Sequence, residues 1–362
     1  MCADDACEQG SGPLPGFGLV KSYEAAETAP TGKSNDRKRM SQMSKLSLRP
    51  CRICDTSNNP IFASEKPCAG WIDKPWMPEG HYTLIRCRSC GNLYVDSDVT
   101  ETYLNDLQGK FNPETEDKIT YESTEDDDKR RTLELAENWE MIAKIRRPAQ
   151  NDKSLDYGCA WGAFGNIAKQ AGVIPNGVEL QPTGAAHSLK LWGGKSVVHR
   201  GPIETAPFVE NEFQYITSFE TLEHVFDPVR ILKSLKHLLS TGGVIAISVP
   251  SADYFTFKYW VYRKQPFHEW MRRKFPGNMQ GDMVLIHNHI NTFSLDAARL
   301  IMEKAGLKVV FIAPYCSGLR GGLLGKIIKY MGKLIWLLSL KKIILAPSIF
   351  VVAQKKLINA IL

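Results

Sequence analysis

The chain of 362 residues contains no run of eighteen or more uncharged apolar residues, which weighs against a membrane-spanning helix. Its first ten residues, MCADDACEQG, carry acids but neither Lys nor Arg, so the basic start of a secretory signal is missing. Nine cysteines in a chain of this size do not read as a disulfide framework. They point to thiols or metal ligands in a reducing compartment, and so to a cytoplasmic protein. Residues 304–362 lack acids altogether while holding ten Lys or Arg. Of 45 basic residues, the preceding chain therefore keeps 35 against all 39 acids, and the whole positive excess sits in the last sixth. What is present, 43% hydrophobic and 23% charged, is globular composition and excludes a fibrous or wholly disordered chain.

Residues 1–47 mix Gly, Pro, Ser, Thr and charge without an apolar period and predict a disordered leader. Thr31-Gly32-Lys33-Ser34 within it is not a phosphate loop, because Glu27 stands where the first glycine would be. Residues 48–112 hold two cysteine pairs among turn residues and short strand-like runs such as 81–86, the pattern of a small metal-stapled module. An acidic connector over 113–137 leads to the main domain, 138–362, through a helix marked by Leu133, Leu135, Trp139, Ile142 and Ile145. Strand and helix then alternate: strands over 154–157, 177–180, 213–219, 244–249, 307–313 and 349–353, helices over 164–171, 184–191, 227–239 and 295–305. Asp227-Pro228 and Ser294 are helix starts, and Gly242-Gly243 is a turn into the fourth of these strands. The repeated βα unit predicts a doubly wound, mostly parallel α/β sheet.

The segment from Leu155 to Gly165 ends a strand, turns on glycines and opens a helix, which brings backbone N–H groups and a helix N-terminus close to a ligand. Ala160 and Ala163 stand where a dinucleotide fingerprint needs its second and third glycines, so a nicotinamide oxidoreductase is disfavoured. Glu179, ending the next strand, can accept both hydroxyls of a ribose.

With these motifs in this order, the chain from about Trp139 onward resembles the class I S-adenosylmethionine-dependent methyltransferases, small-molecule branch. The resemblance implies a Rossmann-like sheet with an antiparallel last strand and S-adenosyl-L-methionine as cofactor. It implies that Asp156, Gly158 and Gly162 wrap the methionine part, that Glu179 takes the ribose, and that Ile203 and Glu204 lie where adenine is contacted. Phe219, in Phe219-Glu220-Thr221-Leu222-Glu223-His224, is very like the family's fourth-strand signature. His289-Ile290-Asn291-Thr292-Phe293-Ser294 resembles the approach to its fifth helix. His224, His287 and His289 are candidate general bases; His224, like Glu220 and Glu223, can equally be a local hydrogen-bonding residue at a helix start.

Cys51-Arg52-Ile53-Cys54 and Cys87-Arg88-Ser89-Cys90 are two C-x-x-C knuckles, each able to place two thiolates on one tetrahedral Zn2+. Four thiolates leave no open position, so such a zinc is structural. A zinc ribbon ahead of this catalytic domain resembles enzymes that methylate nucleotide-linked sugars. An insertion over 250–290, aromatic and basic, is placed to cover a small-molecule acceptor, an amphipathic or phosphate-bearing one; its aromatics can equally form a mini-core. The basic amphipathic segment over 322–346, with Lys326, Lys329, Lys333 and Trp336, either lies on an anionic membrane surface or packs on the sheet.

The function expected is methyl transfer to an oxygen or carbon of a small molecule, such as a sugar, nucleotide-sugar or lipid-linked acceptor, by an enzyme that is cytoplasmic or peripheral at a membrane. Two alternatives are an RNA methyltransferase and an inactive binding protein of the same fold. Phe219-Glu220-Thr221-Leu222 departs from the Asn/Asp-Pro-Pro-aromatic pattern of base amino methylation and counts against nucleic acid.

Overall fold

In the computed structural model, residues 49–65, 82–96, 125–262, 289–316 and 323–355 are described. The expected leader, residues 113–124 of the connector, residues 263–288 of the insertion and with them His287 lie outside them, whereas the rest of the connector, 125–137, is already helix. Residues 48–362 fall in one compact unit.

Three short strands come first: β1 (Ile61–Glu65), β2 (Tyr82–Arg86) and β3 (Leu93–Val95). Helix α1 (Glu125–Ile145) leads into β4 (Lys153–Tyr157), α2 (Ala163–Gln170), β5 (Ile174–Val178), α3 (Pro182–Trp192) and β6 (Val198–His199). Then follow β7 (Phe213–Phe219), α4 (Pro228–Leu238), β8 (Leu239–Pro250) and α5 (Ala252–Tyr262). The chain continues with β9 (Asn291–Thr292), α6 (Leu295–Lys304), β10 (Leu307–Tyr315), α7 (Leu323–Leu338) and β11 (Ser348–Lys355).

The large sheet has the order β10-β11-β8-β7-β4-β5-β6. Strands β4 to β8 are parallel, and β11 runs antiparallel to both β8 and β10. This is the expected Rossmann-like sheet with an antiparallel last strand. Alternation along each strand sends neighbours to opposite faces. On one face Leu155, Ile247 and Val351 pack under Leu232 and Leu235 of α4 and Ile301 of α6. On the other, Tyr215, Ala246 and Phe350 pack under Trp139 of α1 and Phe164 of α2. Each such buried side chain contributes about 1.5–3 kcal/mol.

Helix starts form where the residues dictate them: Asp227 accepts from Arg230 N at 2.9 Å ahead of Pro228, and Ser294 Oγ accepts from Ala297 N at 3.0 Å. The expected turn at Gly242-Gly243 differs. Strand β8 already begins at Leu239, pairing with Phe213, and resumes at Val244 against Tyr215, so the glycines form an irregularity inside the strand. Gly242, at φ 73°, supplies the left-handed backbone this needs.

The small sheet, β1-β2-β3-β9, joins the cysteine-bearing segment to the main domain. Leu93 pairs with Thr292 and Tyr94 with Asn291, while Asn92 Nδ2 donates to Asn291 Oδ1 at 3.3 Å. Of the expected aromatic insertion, Phe255 and Tyr259 are buried against Ala63, Leu84 and Leu93 of this sheet, whereas Phe257 and Trp260 are exposed. Helix α7 divides the residues that sequence treated as one face. Trp336 is 6% exposed and packs with Ile344 and Ala346, so it holds the helix to the domain and is no interfacial residue. Leu334 and Leu337 are 48% and 61% exposed. No helix among the described residues is long and apolar enough to cross a membrane.

Candidate active site

Strand order reverses between β4, followed outward by β5 and β6, and β7, followed outward by β8. Ligands of doubly wound sheets bind beyond the carboxyl ends of the strands at such a point. Two buried side chains bridge it, Thr217 donating through Oγ1 to Asp156 Oδ1 at 2.8 Å. The turn after β4 folds back on Gly158 and Gly162, at φ 80° and 79°. A Cβ on Gly158 would collide with Thr221, and one on Gly162 would come within 2.8 Å of Ser188 Oγ. Both sites thus need glycine for conformation and for space. Helix α3 braces the turn: Ser188 Oγ donates to Ala160 O at 2.7 Å and Trp192 Nε1 to Gly162 O at 2.8 Å.

Glu179 closes the same turn. Its Oε2 accepts from Ala160 N and its Oε1 from Gln181 N, each at 2.8 Å. Each carboxylate oxygen keeps a second lone pair, so the role sequence gives it toward a ribose is chemically compatible with this bracing. Tyr157, overlooked in the sequence, lies among these groups; burial, then the charges of Glu204 and Glu179, push its phenol well above the usual range. Its position as the last residue of a strand before the glycine turn is the signal that could have found it. Ile203 points into the core, and Glu204 is exposed with Oε1 3.6 Å from Arg230 Nη1. Phe219 joins an aromatic layer, its ring 5.0 Å from that of Phe164. The fit of S-adenosylmethionine rests on this cradle: an open backbone turn at a helix start, with an acidic residue at the end of the next strand.

Beyond β7 the backbone turns sharply, with Glu220 at φ 50°. Such strain in a non-glycine residue persists where surrounding structure imposes it. The next short turn, Leu222–His224, delivers Glu223 inward, fully buried, with neither carboxylate oxygen hydrogen-bonded. Two imidazoles face it: His289 Nε2 lies 3.6 Å and His224 Nε2 3.9 Å from Glu223 Oε1, and the two rings are 4.7 Å apart. Burial, then the Glu220 charge, raises the Glu223 carboxyl well above its usual range. Burial, then His224, lowers His289 to about 3. The ligand atoms of Glu223, His224 and His289 lie within 4.8 Å of one another, the spacing of a cation site with one carboxylate and two imidazoles. Sequence treated these residues singly. The approach to β9 unites them, because Ile290 N, just before the strand, donates to Glu223 O at 3.0 Å.

Cys51, Cys54, Cys87 and Cys90 also converge, their sulfurs within 4.8 Å of one another. Cys51 and Cys90 are 3.6 Å apart and Cys54 and Cys87 3.3 Å, close to the roughly 3.8 Å edge of a ZnS4 tetrahedron with 2.3 Å bonds. Their soft, closed donor set suits zinc. The cluster belongs to the core rather than to the surface: Cys51, Cys87 and Cys90 pack with Ile53, Ile85 and Tyr94.

A doubly wound sheet with this cradle at its switch point defines an S-adenosylmethionine-dependent methyltransferase of class I. The family model described as a methyltransferase domain matches residues 105–311, more than half the chain, and the chain belongs to that family. Among curated proteins it is similar to a ubiquinone biosynthesis O-methyltransferase of Actinobacillus pleuropneumoniae serotype 5b, 33% identical over 105 residues, 26% of this chain and 44% of that one. The counterpart in Pseudomonas aeruginosa (strain LESB58) is 29% identical over 100 residues, 26% of this chain and 43% of that one. The chain thus spans less than half the length of these relatives. Among solved structures, the Haloferax volcanii complex of the Trm112 methyltransferase activator with a methyltransferase matches at 14% identity and TM-score 0.42, covering 71% of this chain and 99% of that chain. A methyltransferase of Thermotoga maritima matches at 19% identity and TM-score 0.36, covering 63% and 91%.

Proposed function

We propose that the protein transfers a methyl group to an oxygen of a small-molecule acceptor, with Glu223, His224 and His289 holding a divalent cation beside the cofactor turn. The observation that carries this reading is Glu223, a fully buried carboxylate without a hydrogen bond, facing two imidazoles. A buried carboxylate is costly unless a cation or a proton meets it. When bound, S-adenosylmethionine supplies the electrophilic sulfonium methyl. A cation at the cluster would lower the pKa of an acceptor hydroxyl and orient it.

The chain's own residues have separate tasks. Gly158, Gly162 and Glu179 shape the turn, and Asp156 is held by Thr217. Thr221, two residues before Glu223, sits against Gly158, so the cluster lies beside the turn, where acceptor and methyl donor could be brought into line. The names of the curated relatives, O-methyltransferases of ubiquinone biosynthesis, support an oxygen acceptor. The four thiolates of Cys51, Cys54, Cys87 and Cys90 hold structural zinc in the same reading, and nucleic acid is not the acceptor.

The test is to incubate purified protein with labelled cofactor and fractionated cell extract. Label should enter small molecules or lipids in alkali-stable ether linkage, fall at least about a hundredfold in Glu223→Met, and return after chelation when Mn2+ is added. Label confined to RNA, or unaffected by Glu223→Met, would overturn the reading.

A further inference from the structure

Helix α7 has two apolar faces, and among the described residues only one is covered. Gly332 and Trp336 are buried, and a Cβ on Gly332 would approach Leu345 O at 3.1 Å, so this face is seated on the 344–346 backbone. The opposite face carries Ile327, Tyr330, Met331, Leu334, Leu337 and Leu338, between 47% and 74% exposed. At 100° per residue they fall within an arc of about 120°, as continuous as a stripe that normally meets a core.

The turn after the helix extends this surface against its own backbone preference. Leu340 and Lys341 both hold left-handed backbone, at φ 53° and 62°, a conformation that costs a non-glycine residue energy. Ser339 locks the turn by donating to Trp336 O at 3.1 Å and accepting from Ile343 N at 3.1 Å. Leu340 and Ile343 emerge 79% and 46% exposed, with Lys341 and Lys342 exposed between them.

The charges that this segment of the chain itself brings to the stripe have one sign. No acid occurs between residues 304 and 362. Lys333, exposed, lies along one edge of the arc and Lys341 and Lys342 at its end. Lys329, which sequence grouped with these, is engaged elsewhere, 3.0 Å from Glu137 of α1. Tyr315 pairs with Ser348 and Ser348 with Pro250, so the chain leaves and re-enters the sheet at its active-site rim, where Glu220 N donates to Ser248 O.

We infer that the outer face of α7 and the Leu340–Ile343 turn dock the protein on an anionic lipid bilayer, lying in its surface without crossing it. Apolar side chains framed by lysines fit the boundary between acyl chains and anionic headgroups. Sixteen residues are too short to span the roughly 30 Å apolar layer, which needs about 20. Docking at this rim faces the active site toward an acceptor held in the bilayer. Because the docking is read without cofactor, its failure leaves the methyl-transfer reading untouched.

The experiment is flotation of the full chain with phosphatidylcholine vesicles, with and without phosphatidylserine. Binding should be confined to the anionic vesicles, weaken as salt shortens the reach of the lysines, and fall at least tenfold in Leu337→Asp with Leu338→Asp. Melting temperature and cofactor binding should stay at wild-type values. Leu340→Gly, which relieves the strained backbone, should weaken flotation while leaving the fold as stable or more so. Equal or negligible flotation with both vesicle types would overturn the inference. So would wild-type flotation of the double variant, or a dimer in vesicle-free buffer that the double variant dissolves, since a second copy would then cover the face.

Discussion

Two clusters of side chains with the spacing to hold a metal ion lie either side of the β3–β9 pairing, and their construction is opposite. The four-cysteine cluster is assembled from two local knuckles, each of which fixes its own pair of sulfurs, and its donors close a tetrahedron. The Glu223, His224 and His289 cluster is assembled from the end of β7 and the approach to β9, and its three donors leave coordination positions free for a ligand. On the proposed reading the first cluster is a staple and the second a workplace, and the staple braces the workplace. Val95 N donates to Ile290 O at 3.1 Å, and Ile290 N to Glu223 O at 3.0 Å, so backbone hydrogen bonds run from the cysteine sheet to the buried carboxylate.

Breaking the staple should have the largest effect. Cys54→Ser with Cys87→Ser is expected to remove one zinc per chain by elemental analysis, since structural zinc contributes folding free energy directly. It should also abolish methyl transfer, because His289 and Glu223 lose the β3–β9 brace. Full zinc content in that variant would refute the four-thiolate site.

Emptying the workplace should separate stability from function. Glu223→Met replaces a buried, unsatisfied carboxylate with an apolar side chain of similar size. The metal-free protein should then gain about 1–3 kcal/mol by denaturant unfolding, while Mn2+ binding by titration calorimetry disappears. A destabilised Glu223→Met would mean that the carboxylate is satisfied in the metal-free fold.

A third variant probes the glycine turn that Thr221, two residues before Glu223, packs against. Glu179→Ala removes two hydrogen bonds to backbone N–H groups and should weaken S-adenosylmethionine binding by about 1–3 kcal/mol in calorimetry. Wild-type affinity in both Glu179→Ala and Asp156→Ala would refute the cofactor site. The smallest effect belongs to Ser294, which caps α6 and donates to Cys90 O. Ser294→Ala should cost about 0.5–2 kcal/mol of stability with zinc still bound, and loss of the zinc would show that the cap positions Cys90.

The sequence by itself determined what short spacing encodes. The C-x-x-C pairs, the glycine turn, the Asp227-Pro228 and Ser294 helix starts and the β-α alternation each act through neighbours a few residues away. Local sterics and hydrogen bonds are therefore enough to specify them. Only the tertiary structure decided what distant contacts set. It placed His289 against Glu223, because β9 must pair with β3 to satisfy its backbone. It put Tyr157 among the carboxylates of Glu179 and Glu204, and it turned Gly242-Gly243 into an irregularity within β8. It also gave Trp336 to the core while leaving Leu334 and Leu337 outside. A helical period shows that faces exist, but which face is buried depends on what the rest of the chain brings against it, and here that partner is the 344–346 segment.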